Sequence, residues 1–221
     1  MLKKIYYWLH RLSSKSQERE EYSSGYWQDA VRTEVLFLCR ALAGRALEVG
    51  CGEGLFLIPL AKQHQRLEVW GVDNNNTRLN RAKEKSRQDN LTNVHLLLQG
   101  ASDLAFQDEY FDAVICVNVF FNMESIETVR KTLTQMNRVC KKEGRIIFDF
   151  RNSLNPLLRF KYRFARYYDA TVKDLPLNTY YPREIESILQ DLNLAVVNRK
   201  SIGLAVARFA PITIIEAKKI C

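Results

Sequence analysis

Long uninterrupted apolar runs are missing from this sequence of 221 residues, even though 47% of the residues are hydrophobic. No stretch approaches the roughly 18 to 20 apolar residues that a helix needs to cross a bilayer. The basic amino terminus has a short apolar patch, but His10 and Arg11 interrupt it and no small-residue cleavage site follows, unlike a signal peptide. We therefore expect a soluble, cytoplasmic protein with no transmembrane segment.

Paired cysteines and clusters of metal-ligating residues are also missing. The cysteines are scattered and form no C-x-x-C pair: they are Cys39, Cys51, Cys116, Cys140 and Cys221. The histidines, His10, His64 and His95, have no partner at the spacing of a metal site. This pattern predicts reduced thiols and no bound metal ion.

Acidic residues are fewer than basic ones, so the chain carries a formal net charge of +8 and a pI near 9.3. Half of that excess lies between Arg151 and Leu175, where six Lys or Arg and two Asp give a net charge of +4. Basic and aromatic residues are interleaved there from Arg159 to Tyr168. The segment could bind a phosphate-bearing small molecule, an anionic lipid or a nucleic-acid backbone. It could instead form an amphipathic lid helix whose aromatic side chains pack inward.

Apolar β-branched segments alternate with helical patterns, which is typical of a parallel α/β sheet. We expect strands at Arg45 to Val49, Leu67 to Asp73, Val94 to Leu98, Asp112 to Val117, Arg145 to Phe150, Leu194 to Lys200 and Ala205 to Ala217. Helices are expected at Asp29 to Ala43, Leu55 to Gln63, Thr77 to Asp89, Ser125 to Cys140 and Pro182 to Leu189. A short link at Ser201 to Gly203 predicts that the chain ends in an antiparallel edge strand.

Three glycines at alternate positions, Gly50, Gly52 and Gly54, follow the first strand and precede a helix. Glycine allows the backbone to turn sharply there and to approach a ligand closely. Asp73 ends the next strand, where a carboxylate can accept hydrogen bonds from both hydroxyls of a ribose. The loop and the carboxylate together predict a site for an adenosine-containing ligand at the carboxyl ends of the strands.

The spacing of these glycines distinguishes two classes of adenosine-containing ligand. A dinucleotide loop has the pattern G-x-G-x-x-G, and its third glycine would fall at the position of Leu55. The run from Glu48 to Gly54 instead resembles the acid-x-G-x-G-x-G signature of class I S-adenosylmethionine-dependent methyltransferases. The resemblance covers about Leu36 to Phe150 and is good for the small-molecule subgroup similar to type 11. It implies an α/β fold with a Rossmann-like, doubly wound, mostly parallel seven-stranded sheet, and S-adenosylmethionine as the cofactor.

The resemblance also implies which residues hold the cofactor. Glu48 falls where the family binds the methionine part, and Asn118 lies just past the fourth strand, where the family commonly faces the same part. Many relatives have an acidic residue for adenine where this chain has Gly100; the backbone of Ala101 or the hydroxyl of Ser102 could replace it. Ser102 could equally be a turn residue, and Asn118 a strand-end cap. The implied cofactor-binding residues are Glu48, Gly50, Cys51, Gly52, Gly54, Asp73, Asn74, Ala101, Ser102 and Asn118.

One methyltransferase domain of four parts is the organisation that we predict. Residues 1–44 form an N-terminal helical cap or lid, 45–150 the cofactor-binding core, 151–181 an insertion on the substrate side, and 182–221 the final helix and strand pair. Candidates for contact with the methyl acceptor are Tyr22, Tyr26, Trp27, Asn122, Asp149 and Arg151. The first three could form a lid over the cofactor or pack against the following helix.

Methyl transfer from a sulfonium is an in-line displacement that depends mainly on positioning, so it requires neither a metal ion nor a covalent nucleophile. No catalytic residue is assigned. We expect transfer to an oxygen, nitrogen or carbon atom of a small, anionic or amphiphilic acceptor. The alternative is a nucleic-acid-binding methyltransferase, or a non-catalytic S-adenosylmethionine-binding module, that uses the basic segment 159–173.

Overall fold

A seven-stranded mixed sheet with the strand order β3-β2-β1-β4-β5-β7-β6 forms the centre of the protein. The computed structural model describes residues 26–168, 176–203 and 207–220. The strands are β1 (Arg45–Val49), β2 (Glu68–Asp73), β3 (Val94–Leu98), β4 (Phe111–Cys116), β5 (Cys140–Arg151), β6 (Leu194–Ile202) and β7 (Ile212–Lys219). The first five pair in parallel, and β7 is antiparallel to both β5 and β6. The predicted Rossmann-like sheet is confirmed.

Helices cover both faces of this sheet. They are α1 (Tyr26–Leu38), α2 (Leu57–Gln63), α3 (Asn76–Gln88), α4 (Ile126–Val139), α5 (Pro156–Tyr168) and α6 (Pro182–Asp191). Helices α1, α2 and α3 bury apolar side chains in a cluster on one face, whereas α4 and α6 contribute to a second cluster on the other. Burial on both faces explains why the strands are nearly continuous apolar runs rather than alternating ones.

The C-terminal strand pair differs from the expected arrangement in two ways. Strand β7 is antiparallel as predicted, but it lies between β5 and β6, so that β6 forms the edge of the sheet. Burial explains this order, because Ile212 to Ala217 are all buried whereas Val196 and Val197 of β6 are exposed. The link between the two strands is also longer than predicted, since a 3-10 helix at Ala207–Phe209 and Pro211 precede β7.

The segment from residue 151 to 181 leaves the sheet at the end of β5 and contains helix α5; a helix was one of the two alternatives for this segment, but Tyr167 is 65% exposed rather than packed inward. Residues 176–179 are irregular, and Tyr180 forms an isolated parallel bridge with Asn152 before α6 begins. The carboxyl ends of β1 to β5 all lie at one edge of the sheet, which we call the carboxyl edge. No helix within the described ranges combines the length and the apolar character that a membrane span requires.

Candidate cofactor and acceptor site

The glycine loop leaves β1 at the carboxyl edge, and two of its glycines have distinct structural roles. Gly50 has a φ of 78°, and a Cβ there would lie 2.5 Å from Cγ2 of Val119. Gly52 has a φ of 52°, and a Cβ there would meet no atom of the described residues within 4 Å. Other residues rarely adopt these backbone conformations. Gly50 therefore permits close packing within the protein, whereas the space at Gly52 is open to a ligand.

Asp73 is buried at the end of β2 and connects the glycine loop to the next helix. Its Oδ2 accepts a hydrogen bond from the backbone N–H of Gly52 at 2.8 Å, and its Oδ1 accepts one from Asn75 N–H at 2.8 Å. The side chain that caps α3 is Asn75, whose Oδ1 accepts from the N–H of Arg78 at 3.0 Å. Asp73 therefore does not cap the helix, and its carboxylate lies beside the glycine loop.

Glu48 presents a buried oxygen at the same edge. Its Oε2 finds no hydrogen-bond partner among residues 26–168, 176–203 and 207–220. Burial and, to a smaller extent, the negative charge of Asp73 raise the pKa of Glu48 to about 8, against the opposing effects of Arg32 and the N–H of Leu57. An unsatisfied buried carboxylate is costly unless a ligand supplies a donor or a positive charge. These features fit the amino-acid end of S-adenosylmethionine, which carries an ammonium group.

Cys51 and Gly71 pack against each other where the glycine loop contacts β2. The thiol of Cys51 is buried, its pKa is raised by burial, and its backbone N–H donates to Val72 O at 3.0 Å. A Cβ on Gly71 would lie 2.9 Å from the Cys51 sulfur, so glycine is required for this packing. Gly71 was not among the predicted site residues, although a glycine within an apolar strand signals a close approach of neighbouring groups.

The remaining cofactor candidates lie at the ends of β2 and β3. Asn74 is exposed directly after Asp73, while Ala101 and the exposed Ser102 lie in the turn that follows β3. The N–H of Gln99 donates to the backbone oxygen of Asp73 at 3.1 Å, which ties this turn to β2. The fold thus brings Asn74, Ala101 and Ser102 to the carboxyl edge.

Asn118 lies in a buried polar network just past β4. Its backbone, with a φ of 58°, donates to Oδ1 of Asp149 at 2.6 Å, and its Nδ2 donates to Gln28 O at 3.1 Å. Its Oδ1 accepts from Nη2 of Arg151 at 2.9 Å, and Arg151 also forms an ion pair with Asp149. Both charged side chains are only 1% exposed. Burial raises the pKa of Asp149, whereas the positive charge of Arg151 opposes the shift.

Arg151 also contacts a set of elements that covers this edge, which we call the roof: helix α5, residues 176–181 and the 3-10 helix Phe120–Asn122. The guanidinium lies 4.3 Å from the ring centre of Phe121, and its Nε donates to the hydroxyl of Tyr162 at 3.3 Å. Phe121, Ala165 and Leu177 form a small buried cluster against which Tyr162 and Phe164 pack. The roof therefore has its own apolar core above the sheet.

Two polar side chains of residues 176–181 bind this segment to the loop after β4. Asn178 donates from Nδ2 to Met123 O at 2.6 Å, and the hydroxyl of Tyr180 donates to Phe120 O at 2.9 Å. Neither residue was a candidate, because each acts across more than fifty residues of sequence. Asp149 and Arg151 were candidates, and their spacing of two in a strand, which places both side chains on one face, was a usable signal of their pairing.

The other acceptor-side candidates are only partly placed. Oδ1 of Asn122 is buried and has no hydrogen-bond partner among the described residues. The ring centre of Trp27 in α1 lies 5.3 Å from Nζ of Lys161 in α5, so α1 contacts the roof. Tyr26 begins α1, but its side chain lies outside the described part of the chain, as does Tyr22.

Comparison with known proteins agrees with this geometry. The family model described as a methyltransferase domain matches residues 46–144. Phosphatidylethanolamine N-methyltransferase from Cereibacter sphaeroides is 31% identical over 182 residues, which cover 81% of this chain and 84% of that protein. Demethylmenaquinone methyltransferase from Staphylococcus haemolyticus is 34% identical over 107 residues, but the match covers only 43% of that protein.

Solved structures show the same fold. Magnesium protoporphyrin IX methyltransferase from Synechocystis PCC 6803 with bound S-adenosylhomocysteine superimposes with a TM-score of 0.70 at 20% identity, covering 87% of this chain and 83% of that one. A methyltransferase from Streptomyces caelestis gives a TM-score of 0.67 at 16% identity, covering 88% and 90%. On the extent of the match to the C. sphaeroides enzyme and on this fold, the chain belongs to the class I S-adenosylmethionine-dependent methyltransferases.

Proposed function

We propose that this methyltransferase modifies an oxygen, nitrogen or carbon atom of an amphiphilic acceptor, a molecule with a polar head and an apolar body. The observation that carries the proposal is the composition of the roof. The roof combines an apolar cluster at Phe121, Ala165 and Leu177 with the buried Oδ1 of Asn122, which has no hydrogen-bond partner among the described residues. Sites for such molecules are mostly apolar and contain a few polar groups.

The proposed cofactor site consists of the glycine loop and the ends of β2, β3 and β4. S-adenosylmethionine supplies a methyl group already activated on a sulfonium, so the protein has to position the reactants and exclude water. Asp73 accepts hydrogen bonds from the ribose hydroxyls, and Glu48 binds the ammonium group. Asn74, Ala101 and Ser102 border the adenine, while Asn118 borders the methionine end.

On the acceptor side, Asn122 is the residue that we propose to contact the polar head. Its Oδ1 can accept a hydrogen bond from an ammonium or hydroxyl group of the acceptor. Asp149 is unsuited to act as a general base, because it is only 1% exposed and the buried ion pair with Arg151 favours its ionised form without access to an acceptor. The proposed role of the Asp149–Arg151 pair is to hold Asn118 and the roof in position.

The names of the relatives support an acceptor of this class. They specify a phospholipid, a menaquinone precursor and a magnesium porphyrin. The net charge of +4 between Arg151 and Leu175 favours an anionic acceptor and also keeps RNA as a second candidate. RNA binding that weakens steeply with salt, together with methyl transfer to RNA, would support that second candidate.

The experiment is a transfer assay with radiolabelled S-adenosylmethionine and a panel of acceptors. The panel contains phospholipids with different headgroups in detergent micelles, a quinone, a porphyrin, the water-soluble headgroups alone, and RNA. We expect at least about tenfold faster labelling of one amphiphile than of its isolated headgroup, because burial of the apolar body contributes binding energy. Equal labelling of the headgroup alone, or labelling of RNA only, would rule the proposal out.

A further inference from the structure

Helix α5 has a second side, which faces away from the roof core. Leu158 and Ala165 are buried against the protein, whereas Leu157 and Tyr167 are 51% and 65% exposed. Arg159 and Arg163 are exposed on the same helix. A helix that carries large apolar side chains and arginines on its solvent side is unusual for a protein surface in contact only with water.

The 3-10 helix Ala207–Phe209 extends this surface. Phe209 is 44% exposed and Arg208 is exposed beside it, with the guanidinium 5.7 Å from the ring centre. Two buried asparagines attach it to the start of α5, because Nδ2 of Asn155 donates to Phe209 O at 2.6 Å and Nδ2 of Asn152 donates to Arg208 O at 3.0 Å.

Asn155 also caps α5, since its Oδ1 accepts from the N–H of Leu158 at 2.7 Å. One side chain therefore fixes both the beginning of the helix and the adjacent 3-10 helix. We call the resulting surface the basic-aromatic face; it consists of Leu157, Arg159, Arg163, Tyr167, Arg208 and Phe209. Its position next to the carboxyl edge follows from the start of α5 directly after β5.

Within the described part of the chain, no acidic side chain forms an ion pair with the arginines of this face. Arg66 and Arg87, which are also exposed, share this property, whereas Arg130 and Arg199 pair with acids at 2.6 Å. Unpaired guanidinium groups interleaved with exposed aromatic and aliphatic side chains match the chemistry of a lipid headgroup layer, where phosphates overlie an apolar interior.

We propose that the basic-aromatic face docks the enzyme on the surface of an anionic phospholipid bilayer. Arg159, Arg163 and Arg208 bind lipid phosphates, while Leu157, Tyr167 and Phe209 enter the boundary between headgroups and acyl chains. A bilayer fits better than RNA, because an exposed leucine contributes nothing to a phosphate backbone and cannot stack on bases. This inference deepens the proposed function, since docking would place the roof beside a source of amphiphilic acceptors, but docking itself is measured without any acceptor.

The test is sedimentation of the full chain with vesicles of phosphatidylcholine, with and without phosphatidylglycerol. We expect binding to the anionic vesicles only. The Arg159→Glu/Arg163→Glu variant should bind at least about 25-fold more weakly, because each arginine near an anionic surface contributes about a fivefold gain in partitioning. This loss should shrink as salt rises.

The matched control is Arg66→Glu/Arg87→Glu, which makes the same change in net charge at exposed arginines outside the face. It should bind nearly as well as the unaltered protein. The Leu157→Ala/Phe209→Ala variant should lose about tenfold in a manner that salt does not change, because it removes apolar contacts. Unaltered affinity for S-adenosylhomocysteine in each variant, measured by calorimetry, verifies that the fold is intact.

Three results would overturn the docking proposal. The first is no binding to anionic vesicles, and the second is an equal loss of vesicle binding in the Arg159/Arg163 and Arg66/Arg87 variants. The third is that the protein binds RNA more tightly than vesicles and that the Arg159/Arg163 variant loses this RNA binding. Methylation of micellar acceptors distinguishes it from the proposed function. If micellar amphiphiles are methylated and vesicles are not bound, docking alone is wrong. If vesicles are bound and no amphiphile is methylated, the proposed acceptor class is wrong.

Discussion

The two halves of the site are built in different ways. At the glycine loop, the important contacts involve the backbone: Asp73 accepts from Gly52 N–H and Asn75 N–H, and Gly52 leaves open space. Where the roof meets the sheet, contacts between side chains dominate: Arg151 contacts Asp149, Asn118, Tyr162 and Phe121. A ligand common to a family can be held by backbone geometry, whereas side chains can adapt to different acceptors.

This difference predicts that the roof is more sensitive to the loss of one side chain. Arg151→Met leaves the Asp149 carboxylate buried without its charged partner, which should lower the free energy of unfolding by about 3–5 kcal/mol. Denaturant unfolding monitored by circular dichroism measures the change. Arg130→Met is the control: Arg130 pairs with Asp191 at 2.6 Å but is 36% exposed, so its loss should cost at most about 1 kcal/mol.

Replacement of both partners, as in Asp149→Leu/Arg151→Met, should recover most of the lost stability, because no charge is then left buried alone. It should not restore affinity for S-adenosylhomocysteine, since Asn118 loses two of its contacts. If the free energy of unfolding of Arg151→Met is within about 1 kcal/mol of that of the unaltered protein, the buried pair does not stabilise the roof as proposed.

In the glycine half, a single carboxylate should matter for binding more than for folding. Asp73→Ala removes the acceptor proposed for both ribose hydroxyls, so affinity for S-adenosylhomocysteine should fall at least about 100-fold, given about 1.5–3 kcal/mol for each charge-assisted hydrogen bond. Calorimetric titration measures it. Asp112→Ala is the control, because Asp112 binds Arg45 N–H and Lys141 at the opposite edge of the sheet. Unchanged affinity in Asp73→Ala would contradict the assignment of the cofactor site.

The same contrast explains what could be predicted from the sequence. Strands β1 and β3 match their predicted bounds, and β2 differs by one residue, because each is a short, mainly apolar run bounded by polar or turn residues. The glycine loop was found because its backbone demands a particular residue type. The contacts of Asn178 and Tyr180 were not found, because they join distant segments without any local pattern. The start of β7 was misplaced for the same reason: the asparagines that hold residues 208–210 lie more than fifty positions earlier.

Two alanine substitutions distinguish a glycine that is required for packing within the protein from one that leaves space for a ligand. Gly52→Ala places a Cβ in the open region, so it should reduce affinity for S-adenosylhomocysteine more than tenfold. It should lower the free energy of unfolding by only about 1–2 kcal/mol, because alanine is strained in the left-handed backbone conformation of this position. Gly50→Ala forces a Cβ against Val119, so its melting temperature should fall further than that of Gly52→Ala. Calorimetry and thermal melting of both variants provide the comparison. Normal affinity in Gly52→Ala would show that the ligand does not approach this position.

The smallest effect concerns the pH dependence of binding. With its pKa raised to about 8, Glu48 is mostly protonated near pH 6.5 in the cofactor-free protein. The ammonium group of S-adenosylhomocysteine favours the ionised carboxylate, so binding releases a proton. Affinity should therefore rise about tenfold from pH 6.5 to 7.5 and level off above pH 8, where Glu48 is already ionised.

Calorimetry in two buffers with different ionisation enthalpies measures the proton release directly, and we expect nearly one proton per ligand at pH 7. Glu48→Gln cannot ionise, so its affinity should be lower at pH 8.5 and nearly independent of pH between 6.5 and 7.5. If the unaltered protein releases no proton and shows the same flat profile, Glu48 does not bind the ammonium group. The glycine half would then depend on its backbone and Asp73 alone, which would make the contrast with the roof sharper still.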